Sequence, residues 1–109
     1  MNEYSKETKK SLRELAGLAY ERDMSRCLEV LYEHFKTWEN GGISPFDLND
    51  LIHEYHDGAS RSMYSVYTDN EVSISVAFGL RQGVLSESEL PEEASDDIKE
   101  IANAIAKKA

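Results

Sequence analysis

The chain of 109 residues has one cysteine, two prolines and no run of 18 apolar residues. Cys27 therefore has no partner for an internal disulfide, which fits a reducing compartment. With proline only at positions 45 and 91, long stretches are free to be helical. No apolar run is long enough to cross a bilayer as a helix. The opening residues, MNEYSKETKK, also lack the apolar stretch of a secretory signal. A cytoplasmic protein is expected. Basic side chains are scarce as well: 12 Lys and Arg stand against 21 Asp and Glu, a formal charge of −9. Residues 1–40 carry 7 basic and 8 acidic side chains, residues 41–85 carry 2 and 6, and residues 86–109 carry 3 and 7. A surface with that excess repels phosphate backbones and anionic lipid, so neither nucleic acid nor a membrane is expected as a partner. The small basic face of Lys6, Lys9, Lys10 and Arg13 reads as solvated helix surface.

Strand signals and phosphate loops are missing too. The alternating Val72-Ser-Ile-Ser-Val-Ala stretch runs on into Phe78-Gly-Leu80 in helical register and reads as helix. Asn40-Gly-Gly is a helix stop, and Gly79-Leu-Arg-Gln-Gly83 has no following Lys-Ser/Thr.

What is present is helical periodicity on enough apolar material, 40% of residues, for one core. From Ser5 to Glu39, the residues Leu12, Ala16, Tyr20, Met24, Cys27, Leu31, Phe35 and Trp38 recur every three or four positions. The early steps of four rotate this stripe by about 40° each. A kink or a division between Gly17 and Ser25 is therefore expected. Ser44-Pro45-Phe46-Asp47 opens a second region as a capping-box variant with proline in the first turn. Its stripe is Leu48, Leu51, Ile52, Tyr55, Ala59, Met63 and Val66, with a kink or restart at Gly58 capped by Asp57. A shorter helix follows with Val72, Val76, Phe78, Leu80 and Leu85, stopped near Gly83. After an acidic loop, Pro91 begins a last helix striped by Ile98, Ile101, Ala102 and Ile105. The expected fold is one all-α domain over residues 1–109, frayed at 1–4 and 107–109. It is an antiparallel hairpin of two long helices covered by two shorter ones, four to five helices in total.

One short stretch invites a chemical reading. Ile52-His53-Glu54-Tyr55-His56-Asp57 is one residue short of the His-Glu-x-x-His spacing that puts two imidazoles on zinc, so that reading fails. A hairpin pivoting at residues 41–42 would place His56 opposite Cys27. Cys27, His34, His53 and His56 then form an alternative thiolate and imidazole set for zinc. The simpler expectation is no cofactor and a polar network along the hairpin. In it Arg61 pairs with Glu21 or Asp23, and His53 or His56 with Glu29 or Asp57. Cys27 in a helical seam offers no nucleophile. The tyrosines, mostly at helical spacing, read as core or interface.

The expected function is that of a small acidic interaction or regulatory module without catalysis, partnered by a second copy of itself, as a dimer, or by another protein. Tyr32, Trp38, Tyr64 and Tyr67 are its candidate interface residues. A further alternative is an acidic partner of a basic protein, acting through Glu87 to Glu100.

Overall fold

The computed structural model describes residues 4–108, with side chains through Ile105. The described residues form helices and no strand. These are α1 (Lys6–Glu39), α2 (Pro45–Tyr55), α3 (Arg61–Thr68), α4 (Val72–Arg81) and α5 (Ser95–Lys108), with two short 3₁₀ turns at Glu87–Glu89 and Glu92–Ala94. A π turn, His56–Ser60, joins α2 to α3 without leaving helical dihedrals, so α2 and α3 are one interrupted rod. The all-α hairpin with two shorter covering helices is the architecture expected. Of the ends expected to fray, residues 1–3 and 109 lie outside the described residues. Tyr4 donates to Asp97 at 2.7 Å, and α5 runs to Lys108.

The helix boundaries follow from local chemistry. Ser5 caps α1 by accepting from the Thr8 amide at 3.1 Å. Ser44 and Asp47 close a reciprocal capping box with Pro45 in the first turn of α2. Gly41 and Gly83, at φ 80° and 78°, take the left-handed conformation that ends α1 and α4. Three boundaries differ from expectation: the last helix, expected from Pro91, begins as α5 at Ser95 after the 3₁₀ turn Glu92–Ala94. Asp57 does not cap a new helix, because the chain stays helical through the π turn, which absorbs an extra residue instead of restarting. Leu85 lies beyond α4, yet it is buried and packs back onto Gly79.

The first helix is unbroken over 34 residues. At 1.5 Å per residue it is about 51 Å long, close to the 54 Å length of the whole molecule. No break is needed at Gly17–Ser25, because the rotating stripe meets a succession of partners. Leu12, Leu15, Ala16 and Ala19 face the core shared with α4 and α5. Asp23 and Cys27 then meet Tyr67 and Met63 on α3. Leu31 and His34 finally line a groove with Leu51 and Tyr55 on α2.

Burial divides this rod into two halves. Among the described residues, every buried hydrophobic side chain except Leu48 belongs to one cluster, drawn from α1 up to Ala19 and from Met63 onward. Ile98 and Val76 at its centre are fully buried, each contributing about 1.5–3 kcal/mol. This end is a bundle, here called the head. The rest of α1, from Cys27, and α2 project from it as a two-helix arm with Leu48 as its one buried residue.

Polar contacts clamp the head. Arg22 donates through Nη1 to the Val84 carbonyl at 2.8 Å and to Glu89 Oε1 at 3.0 Å. The Ser5 amide and the Thr8 hydroxyl both donate to Glu93, at 2.9 and 3.0 Å, which sets a carboxylate at the start of α1, where the helix dipole favours it. The Glu89 carboxyl is pulled from 4.5 to about 2, first by the Arg22 hydrogen bond and then by the Ser86 amide. A carboxyl acidified by folding stabilises above its unfolded pKa and loses that contribution as pH falls. Wild-type stability should therefore decline between about pH 4.5 and 2, and Glu89→Gln should flatten that decline. Urea titrations at several acidic pH values check this. Parallel curves for the two proteins would rule out the Arg22 clamp.

Candidate interaction surface

The candidate site residues fall into three places. Tyr32 and Trp38 lie exposed on the arm, and Tyr64 is exposed on α3. Tyr67 does not belong with them. It is buried, its hydroxyl donates to Asp23 at 2.8 Å, and its ring stacks on Tyr20 at 5.3 Å and meets Phe78 edge-on at 5.7 Å. A tyrosine at helical spacing looks the same in sequence whether it faces core or solvent, and here the core took it.

The polar network joining Glu21, Asp23, His53, His56 and Arg61 is not assembled. The contacts Asp23–Tyr67 and Cys27–Met63 are both centred on residue 45, not on the pivot at 41–42. The π turn shifts the pairing in this direction by adding a residue to the returning rod. Arg61 does not stand opposite Arg22 and is exposed, with no ion pair among the described residues, while Glu21 is exposed on α1. His53 is exposed, and among the described residues His56 reaches only Asp57, at 3.4 Å with both side chains 69% exposed. A pair this open contributes little.

The zinc alternative meets the same obstacle. Cys27 and His34 line one groove of about 300 Å³ together with Val30, Leu51, Tyr55 and Ala59. His53 and His56 stand exposed on the returning rod. Among the described residues, no three His, Cys, Asp or Glu side chains gather as a metal would require. The Cys27 thiol sits 3.9 Å from the Met63 sulfur, and burial followed by the Asp23 charge pushes its pKa up. That favours the protonated thiol, which is neither a ligand nor a nucleophile. The acidic stretch from Glu87 to Glu100 is partly committed as well, since Glu89, Glu93 and Asp97 tie the head together.

What the arm does bring together is apolar surface. Leu28, Val30, Tyr32, Phe35, Trp38 and Phe46 are all at least 39% exposed. Tyr64 is the one large hydrophobic of comparable exposure described elsewhere. Scattered exposed apolar side chains are ordinary, whereas most of those described here lie on one projecting element. Leu28 was the residue that periodicity passed over. Counting Cys27 in the stripe hides the alternative series through Leu28, although both are legible in the letters.

No helix among the described residues is long and apolar enough to cross a membrane. Comparison of the chain with protein-family models, with curated proteins and with solved structures finds no match. The fold and the surface thus define the class: a small all-α protein with a packed head and a projecting apolar arm.

Proposed function

We propose that this chain is a protein-interaction module whose docking surface is the arm formed by α1 beyond Cys27 and by α2. The observation that carries it is the placement of six large exposed hydrophobics between Leu28 and Phe46, on the part of the molecule that contributes one buried residue, Leu48. A two-helix arm of this kind buries too little to hold its outer faces dry, and a protein surface is what covers such faces at a gain. The head supplies the stability, and the arm is left free to bind. A thiol held against Met63 suits work in a reducing compartment such as the cytoplasm.

Photo-cross-linking in the native cell tests this. A photoreactive amino acid at Tyr32 or Phe46 of the full chain is expected to give covalent protein adducts. The same group at Lys10 or Gln82 on the head is expected to give few. Equal labelling from head and arm, or no protein adduct from the arm, would overturn the reading.

A further inference from the structure

The exposed apolar surface of the arm has an internal order. Met24, Leu28, Leu31, Phe35 and Trp38 are separated by alternating steps of four and three, the a/d spacing at which two helices close a seam. At about 100° per residue they fall within an arc of about 80°. Leu28, Phe35 and Trp38 remain 45%, 39% and 41% exposed, and Met24 and Leu31 are half-buried. Cys27 and His34, which face the groove with α2, lie to one side of this arc. Arg26, Glu29, Glu33 and Lys36 lie about 120° or more round from its centre, on the back of the helix. The helix positions flanking the seam are Ser25, Tyr32, Cys27, His34 and, near the tip, Glu39, with the Lys36 ammonium 5.1 Å from the Tyr32 ring on one side and Glu54 of α2 in the groove on the other.

Resting on the reading of the arm as a docking surface, we infer that its occupant is a second copy of this chain. The two copies of α1 pair antiparallel along Leu28–Trp38. Three observations choose this occupant and direction. The first is charge: the seam positions themselves are uncharged and the few charges beside them are of both signs, so two copies meet along Leu28–Trp38 without like charges facing each other, whereas a strongly basic or acidic partner would find few ionic partners there.

The second observation is packing. Antiparallel a/d pairing sets Leu28 of one copy against Trp38 of the other, and Leu31 against Phe35. Large side chains then oppose smaller ones in all four layers. Parallel pairing would set Trp38 on Trp38 and Phe35 on Phe35 at one end, with leucine on leucine at the other. Antiparallel pairing also sends the two heads, which together with the termini hold 11 basic and 15 acidic side chains per chain, to opposite ends. Parallel pairing would bring them side by side.

The third is area. Leu28, Tyr32, Phe35 and Trp38, at the exposures found, leave about 350 Å² of side-chain surface on this face if each aromatic buries 150–250 Å². With the polar rim that makes up about a third of such an interface, each chain contributes about 500 Å². The pair then buries about 1,000 Å², at the threshold of a specific interface. The dimer is accordingly expected to dissociate in the micromolar range.

Sedimentation of the purified chain from about 1 to 100 µM should show a concentration-dependent rise to twice the chain mass. Leu28→Lys with Phe35→Lys should raise the dissociation constant roughly a hundredfold or more, because two ammonium groups would be buried without partners. Both sites are exposed, so helicity should be unchanged. Direction is read separately on a Cys27→Ser background with a short bis-maleimide. A mixture of L28C and W38C chains should cross-link between the two species, and neither should link to itself. Self-linking of L28C would overturn the antiparallel pairing, and dimers of undiminished affinity in the double-lysine variant would overturn the seam. A one-chain mass at 100 µM would overturn the second copy as occupant. If arm adducts to a different protein still form in cells, the module reading survives that failure. If they do not, both fall.

Discussion

Gly79→Val should destabilise the protein by about 3 kcal/mol and lower its melting temperature by about 12 °C or more. Gly79 is buried on α4 where that helix crosses α1. A Cβ there would stand 2.7 Å from the Ala19 Cβ and 3.1 Å from Leu85 Cδ1. The leucine tip can swing aside, but Ala19 is fully buried and its Cβ is fixed to the α1 backbone. A side chain at position 79 therefore forces the two helices apart. The separation loosens the packing around Val76 and Ala77, which share the core cluster with Ala19. Alanine at position 79 gains up to about 1 kcal/mol of helix propensity that valine largely forgoes, so its net loss should be smaller. The pair of sites should also couple: Ala19→Gly reopens the crossing and should recover part of the loss in a Gly79→Ala background. Urea denaturation of the four proteins in the cycle measures this. A Gly79→Val variant as stable as wild type would show that the helices do not approach so closely.

Tyr67→Phe should cost about 2–3 kcal/mol, which is large for the loss of one oxygen. The cost lies in what the oxygen leaves behind. Asp23 is 6% exposed, and the Tyr67 hydroxyl, 2.8 Å away, is the hydrogen-bond donor its side chain has among the described residues. Burial and the Asp23 carboxylate raise the phenol's pKa, so the donor keeps its proton across the neutral range. Without it a carboxylate stays buried and unpaired. The double change Tyr67→Phe with Asp23→Leu removes both partners and should be far less costly than Tyr67→Phe alone. Equilibrium unfolding of the two variants at neutral pH separates these outcomes. If the double variant were no more stable than the single, the loss would not lie in an unpaired Asp23 carboxylate, since the Phe ring keeps the contacts with Tyr20 and Phe78 in both.

These two contacts also show where reading the letters stops. The helix ends were legible because they are decided within a few residues. Ser44, Pro45 and Asp47 satisfy one another's hydrogen bonds locally, and Gly41 and Gly83 relieve a local backbone conformation. The unbroken α1 was not legible. A stripe that rotates along a helix implies either a bend or a change of partner, and only the positions of α2, α3 and α4 distinguish the two. The pairing register was likewise hidden, since the π turn around the exposed Gly58 alters the contacts made further along the rod at Met63 and Tyr67. With the register moved, Asp23 lost Arg61 and gained Tyr67, and Tyr67 passed from the surface list to the core. His53 and His56 precede or open the π turn, and they lack partners across the hairpin because they lie on the exposed side of the returning rod.

By itself the sequence determined an all-α hairpin with two covering helices and most of its capped boundaries, because periodicity and capping act locally. Only the tertiary structure decided which apolar stripe is covered. Burial depends on what stands opposite a residue, and α4 and α5 stand opposite the first half of α1 alone. The second half therefore keeps Leu28, Phe35 and Trp38 in solvent, and that uncovered strip is where function is proposed.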